Sequence, residues 1–228
     1  MRLLLIILLM IGSLTLIISP VIPETFKECE FKPFDEAYID PGFVQFRNML
    51  LQIIEDKDAK ALMPFVAKDI FFSFGIDKGK ENFIKKWDLN NNNSSVSKDF
   101  WYEFEKVVKN GGKFVTSEEF IAPYYSTDKW PPGFNSFDFV VVTGKDVNVY
   151  KKENDSLLKF STISYKIVKM LKWASFKYND REYSKVLLPD GKEAYIYDYY
   201  LGNQIGFRAT FARDNDNKWE IVIFVGGD

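Results

Sequence analysis

Residues 140–201 carry the pattern that most restricts the fold of this chain: a succession of short β-rich segments separated by turn residues. The apolar run Val140-Val141-Val142 is followed by alternation. Val147 and Val149 point to one face, Asn148 and Tyr150 to the other, as in a half-buried strand. Residues 151–156 read as a charged, turn-prone loop. Residues 157–164 and 166–171 form a second and third strand, the latter carrying Ile167, Val168 and Met170. Two further strands, 183–188 and 193–197, flank Pro189-Asp190-Gly191-Lys192. There Pro fixes φ and Gly supplies positive φ, which predicts a hairpin.

The order of these pieces resembles the bacterial Src-homology-3 (SH3b) family. The residues that carry the resemblance are Val147-Asn148-Val149, Tyr183-Ser184-Lys185-Val186, Asp190-Gly191-Lys192, Ala194-Tyr195-Ile196 and Tyr200-Leu201. The resemblance implies a small SH3-like barrel over 138–202 that binds a cell-wall peptide (peptidoglycan) or an envelope protein through aromatics and loops on one side. Tyr150, Trp173, Tyr183 and Tyr195 are then the ligand-binding candidates. The alternative is that these amphipathic rings close a small core. Tyr150 stands where the family usually has Arg, Tyr183 and Tyr195 stand where Trp is common, and 172–181 reads as a longer loop than usual.

Composition narrows the chemistry. The 30 Lys and Arg nearly balance 32 Asp and Glu, which argues against nucleic acid as an electrostatically captured partner. The absence of His removes Ser-His-Asp and Cys-His catalysis and His-ligated zinc. A single cysteine, Cys29, permits neither an internal disulfide nor a thiolate metal cluster. No metal, cofactor or catalytic residue is assigned.

Arg2 followed by the apolar stretch 3–18 marks residues 1–19 as a cleaved signal peptide or a retained N-terminal membrane anchor. Either places the rest of the chain outside the cytoplasm, in the periplasm or at the cell surface, and a retained anchor ties it to the inner membrane. Membrane contact is expected through that segment alone. Cys29 follows Phe26-Lys27-Glu28, not the small apolar residues that lipid attachment needs, so lipidation is not expected. Residues 20–34, with three prolines, read as a linker.

Residues 35–136 read as an α+β domain. Asp40-Pro41 opens a helix whose Phe43, Phe46, Leu50, Ile53 and Ile54 form one stripe. Helices over 59–67, 80–87 and 99–109, a strand over 70–74 and one or two strands within 114–125 complete it. Residues 90–97 form a polar loop. The early helices and following strand resemble the cone-shaped fold of the nuclear-transport-factor-2 kind. The acid pairs Asp35/Glu36, Asp56/Asp58 and Glu118/Glu119 read as capping and solvated charge. Residues 203–228 form a hairpin around Asp214-Asn215-Asp216-Asn217, a polar turn that lacks the Gly and distal Glu of a calcium loop. The hairpin either extends the barrel or returns to the first domain's sheet. The second is favoured because the first region is short of strands.

The fold class expected is therefore α+β: a mixed helix/sheet domain, a small SH3-like barrel and a C-terminal hairpin. The function expected is that of a non-catalytic, exported binding protein of the bacterial cell envelope. The alternatives are a carboxylate enzyme acting on an envelope glycan or small ligand through the first domain, and a membrane-anchored interaction scaffold.

Overall fold

A computed structural model describes residues 24–75 and 77–227. The expected leader, 1–19, lies outside them. Among the described residues no helix is long and apolar enough to cross a membrane.

Helix α1 (Pro41–Asp56) begins where the sequence places it. Asp40 has extended backbone angles and accepts the Phe43 N–H at 3.0 Å. The anticipated stripe Phe43, Phe46, Leu50, Ile53 and Ile54 is buried. Asp58 caps the short α2 (Ala59–Leu62), accepting from the Ala61 N–H. Pro64, which has no N–H to continue the helical ladder, falls in the 3-10 turn that follows. Strand β1 (Val66–Phe71) therefore starts earlier than the 70–74 expected. Helix α3 (Lys80–Lys86) precedes α4 (Ser95–Lys109). Ser94 caps α4 by accepting the Ser97 N–H at 3.1 Å, adding a full turn that the Asn/Ser-rich sequence had suggested was loop. Strands β2 (Lys113–Thr116) and β3 (Glu119–Ala122) follow.

The second sheet is built from β4 (Phe139–Val142), β5 (Val147–Glu153), β6 (Ser156–Ile163), β7 (Ile167–Tyr178), β8 (Arg181–Leu187), β9 (Glu193–Tyr197) and β10 (Leu201–Gly202). Its order is β10-β4-β7-β8-β9-β5-β6. It is open: β10 and β6 form its two edges, so no closed barrel exists among the described residues. It is nonetheless strongly curled. Only residues 143–146 join β4 to β5, although β7, β8 and β9 lie between them in the sheet. Four strand spacings in a flat sheet amount to about 19 Å, while such a link reaches at most about 18 Å. Curling lets Val142, Val149, Val168, Val186, Ile196 and Leu201, from six strands, share one core.

The chain then crosses back. Strands β11 (Arg208–Arg213) and β12 (Trp219–Val225) enter the first sheet, whose order is β1-β12-β11-β3-β2, with β12 parallel to β1. The C-terminal hairpin thus completes the first domain's sheet, and the curled sheet is an insertion into that domain. Between sheet and helices, Phe43, Phe100, Phe104, Phe120, Phe211 and Phe224 are buried in one core, with Phe43 and Phe120 centroids 4.2 Å apart.

Two expectations change. Residues 172–181 are not a loop: β7 runs on to Tyr178 and turns at Asn179-Asp180, both left-handed (φ 48° and 57°), as a two-residue hairpin of matching twist requires. The linker reading of 20–34 also gives way, because from Glu24 onward the segment is docked. Phe31 N–H donates to the Tyr165 carbonyl (2.6 Å), Ile167 N–H to the Cys29 carbonyl (2.9 Å), and Lys169 pairs with Glu24.

Candidate functional site

Among the described residues, a wide cleft between the two units lies along α4. Asp99, Tyr102, Glu103 and Lys106 are spaced i, i+3, i+4 and i+7, which puts them on one face of the helix. The opposing wall comes from the second sheet: Trp173 on β7, Arg181 and Glu182 at the start of β8, and Tyr197-Asp198 where β9 ends. Trp87, after α3, and Phe207, before β11, close the end. The cleft measures about 700 Å³. A smaller recess of about 260 Å³ shares Glu103, Lys106, Trp173 and Phe207 with it, and Tyr125 lines its far side.

Trp173 reaches the cleft through a β-bulge. The register between β7 and β8 shifts at 173–175, Ala174 is left-handed (φ 41°), and its N–H donates to Ser184 Oγ at 3.0 Å. Bulges of this kind re-aim a side chain. Trp173 accordingly remains 44% exposed.

Lys106 lies at the floor, only 8% exposed. Burial pushes its ammonium pKa down, against the opposing pull of the Glu103 and Asp198 carboxylates. Its Nζ donates to the Asp198 carbonyl at 3.4 Å and lies 5.4 Å from the centre of the Tyr102 ring. Burial raises the Glu103 carboxyl. Lys106 offsets part of that rise, and Asp99 and Asp198 add to it. Asp198 is also raised by burial, against the Ser184 hydroxyl and Lys106, with Glu182 reinforcing the rise. Its Oδ1 is enclosed without a hydrogen-bond partner. Donors and acceptors are therefore interleaved in one cleft, and two carboxyls there hold protons more tightly than usual.

No protein-family model, curated protein or solved structure matches this chain. The chemistry of the site must be read from its own residues.

The four aromatics singled out from the sequence divide. Tyr150 and Tyr195 are register partners on β5 and β9, and Tyr183 and Tyr197 are partners on β8 and β9, so these rings share one face of the curled sheet. Tyr183 is 4% exposed and packs edge-on against Tyr150 at 5.5 Å, which makes it a packing ring. Tyr150 and Tyr195 are half-buried. Trp173 belongs to the cleft instead. Tyr197 joins the two regions: its ring lies 5.7 Å from Tyr183, while Arg181 stacks on it at 5.2 Å.

Sequence reasoning missed Glu103, Lys106 and Asp198. The signal was the polar stripe on α4, masked by the stronger apolar stripe of the same helix. Two of the three acid pairs, Asp35/Glu36 and Asp56/Asp58, have structural roles. Asp35 pairs with Arg47 at 2.7 Å, Glu36 accepts the Phe114 N–H, Asp56 accepts from Gln52, and Asp58 caps α2. Asp214 Oδ1 accepts the N–H groups of Asp216 and Lys218, closing a turn. Among the described residues no group of His, Cys, Asp and Glu is placed to hold a metal. Burial raises the Cys29 thiol, opposite to the shift that activates a cysteine.

Proposed function

We propose that this chain is a non-catalytic binding protein of the bacterial cell envelope that captures a wall-derived ligand in the cleft between its two units. The observation that carries the reading is Trp173, a large ring kept partly exposed by a bulge in a mixed-polarity cleft. A pocket in which an aromatic ring and a few convergent polar groups meet is the usual form of a binding site. The export signal expected at residues 1–19 places that cleft outside the cytoplasm. The SH3b resemblance supplies the class of ligand, with the curled sheet taking the part of the binding barrel.

A second reading is favoured by one specific feature: Glu103 and Asp198 sit in the same cleft, both biased toward the protonated form. A carboxyl held protonated beside a second acid is what glycoside cleavage requires. Lys106, buried between them, instead suits a site that holds its ligand unchanged, because it keeps the two acids engaged electrostatically.

Incubating the full-length protein with purified sacculi separates the readings. Co-sedimentation without release of soluble glycan is expected. Release that disappears in Glu103→Gln supports the enzyme, and absence of both co-sedimentation and release defeats both readings.

A further inference from the structure

We infer that the cleft selects an uncharged, hydroxyl-rich ligand, a segment of neutral saccharide, and not a charged peptide end. The inference rests on the cleft being the binding site, as proposed above, and narrows what it takes.

Charge excludes the alternatives first. The lining holds five acidic side chains (Asp99, Glu103, Asp180, Glu182, Asp198) against two basic ones (Lys106, Arg181), with burial biasing Glu103, Asp198 and Lys106 toward their neutral forms. A phosphate or carboxylate ligand would enter against that excess. An ammonium ligand meets the opposite difficulty at the floor, because Lys106 is buried there beside the half-buried Glu103 and Asp198, and like charges repel. A hydroxyl group faces neither penalty, since it donates and accepts at once. It can accept from the Lys106 ammonium and donate to Glu103 in the same pose.

The Asp198 carboxylate adds a second reason. Its Oδ1 is enclosed without a hydrogen-bond partner. A shift of the Asp198 side chain that opened this oxygen to the cleft would let a ligand hydroxyl donate to it. The remaining requirement of a saccharide is an apolar platform for the C–H face of its rings. Trp173 supplies one at the mouth. Tyr197 does not add a second, since the Arg181 guanidinium lies over its ring at 5.2 Å and Tyr199 stacks on it at 6.0 Å.

The test titrates the full-length protein by calorimetry with three tetrasaccharides of the same linkage. One is built of N-acetylglucosamine (neutral), one of glucosamine (cationic) and one of a uronic acid (anionic). The neutral sugar is expected to bind, with the cationic and anionic ones at least about tenfold weaker. Trp173→Ala, at a position 44% exposed and outside the buried cores, is expected to keep the cooperative thermal unfolding of the wild type and to weaken the neutral sugar about tenfold through loss of one stacked ring. Preference for either charged sugar, or an affinity unaffected by Trp173→Ala, overturns the inference. If sacculi co-sediment while none of the three sugars binds, the saccharide inference fails and the wall-binding reading stands. If the neutral sugar binds while sacculi do not, the inference stands and the envelope reading fails.

Discussion

At the scale of single residues, the molecule departs most from routine packing at Glu103, Lys106 and Asp198. A lysine only 8% exposed between two carboxyls is costly to bury, and the three groups share that cost through their mutual field. This has a consequence for stability against pH. Burial raises the Glu103 carboxyl despite Lys106, so the folded state holds that proton more tightly than the unfolded state. The stabilisation from this proton is fully present below the ordinary Glu range, about 4.3, and is lost as pH rises through the raised folded value. Glu103→Gln removes that loss. The stability of the variant minus that of the wild type should therefore rise as pH increases above the ordinary Glu range in urea titrations, whatever its sign at the acid end. A difference that stays flat or falls above that range would mean that Glu103 is solvated, contrary to its place in the cleft. None of this was legible in the sequence, because a Lys and a Glu three apart on a helix usually read as a solvated pair.

At the scale of elements, the parts readable in advance are those whose signal is local. The Asp40-Pro41 start of α1, the apolar stripe behind it and the Pro-Asp-Gly turn between β8 and β9 all depend on a few adjacent residues. The long β7–β8 hairpin was hidden because its turn is Asn179-Asp180 without glycine, and because the bulge at 173–175 breaks the alternation that marks a strand. Barrel closure could not be read locally at all, since it depends on whether β6 meets β10, strands far apart in the chain. The bulge itself makes a prediction. Ala174 occupies a left-handed conformation (φ 41°) that strains an alanine by about 1–2 kcal/mol. Glycine adopts it freely, at a cost of about 0.5–1 kcal/mol in unfolded-chain entropy. Ala174→Gly is thus expected to stabilise the protein by about 0.5–1 kcal/mol in chemical unfolding, with the Trp173 site intact. Destabilisation would show that the bulge relies on the Ala174 methyl for packing.

At the scale of the whole molecule, two units with separate cores keep a cleft of fixed shape only if something fixes their relation. The N-terminal segment does this. Glu30 bridges Lys166, with Cys29 and Phe31 bonded to the same part of the second sheet, and a few residues later Asp35 and Glu36 pair with Gly112 beside the first sheet. Between these anchor points Phe31 enters a third core with Tyr124, Tyr125, Val141 and Ile167, drawn from both sides. Its ring lies 5.2 Å from Tyr124 and 5.8 Å from Trp130. Phe31→Ala removes the residue that joins them, with a cost of about 3 kcal/mol by analogy with other buried rings. The loss should be local to the strap. In native-state hydrogen exchange the Phe31 and Ile167 amides, bonded to Tyr165 and Cys29 carbonyls, should lose protection, while the β11 and β12 amides keep theirs. A uniform fall across all four elements would show that the two units unfold as one body. Unchanged protection at Ile167 would show that the strap is held without its aromatic anchor. In the expected case, ligand affinity should drop in Phe31→Ala although the variant touches no cleft residue, because Trp173 and α4 then no longer keep a fixed separation.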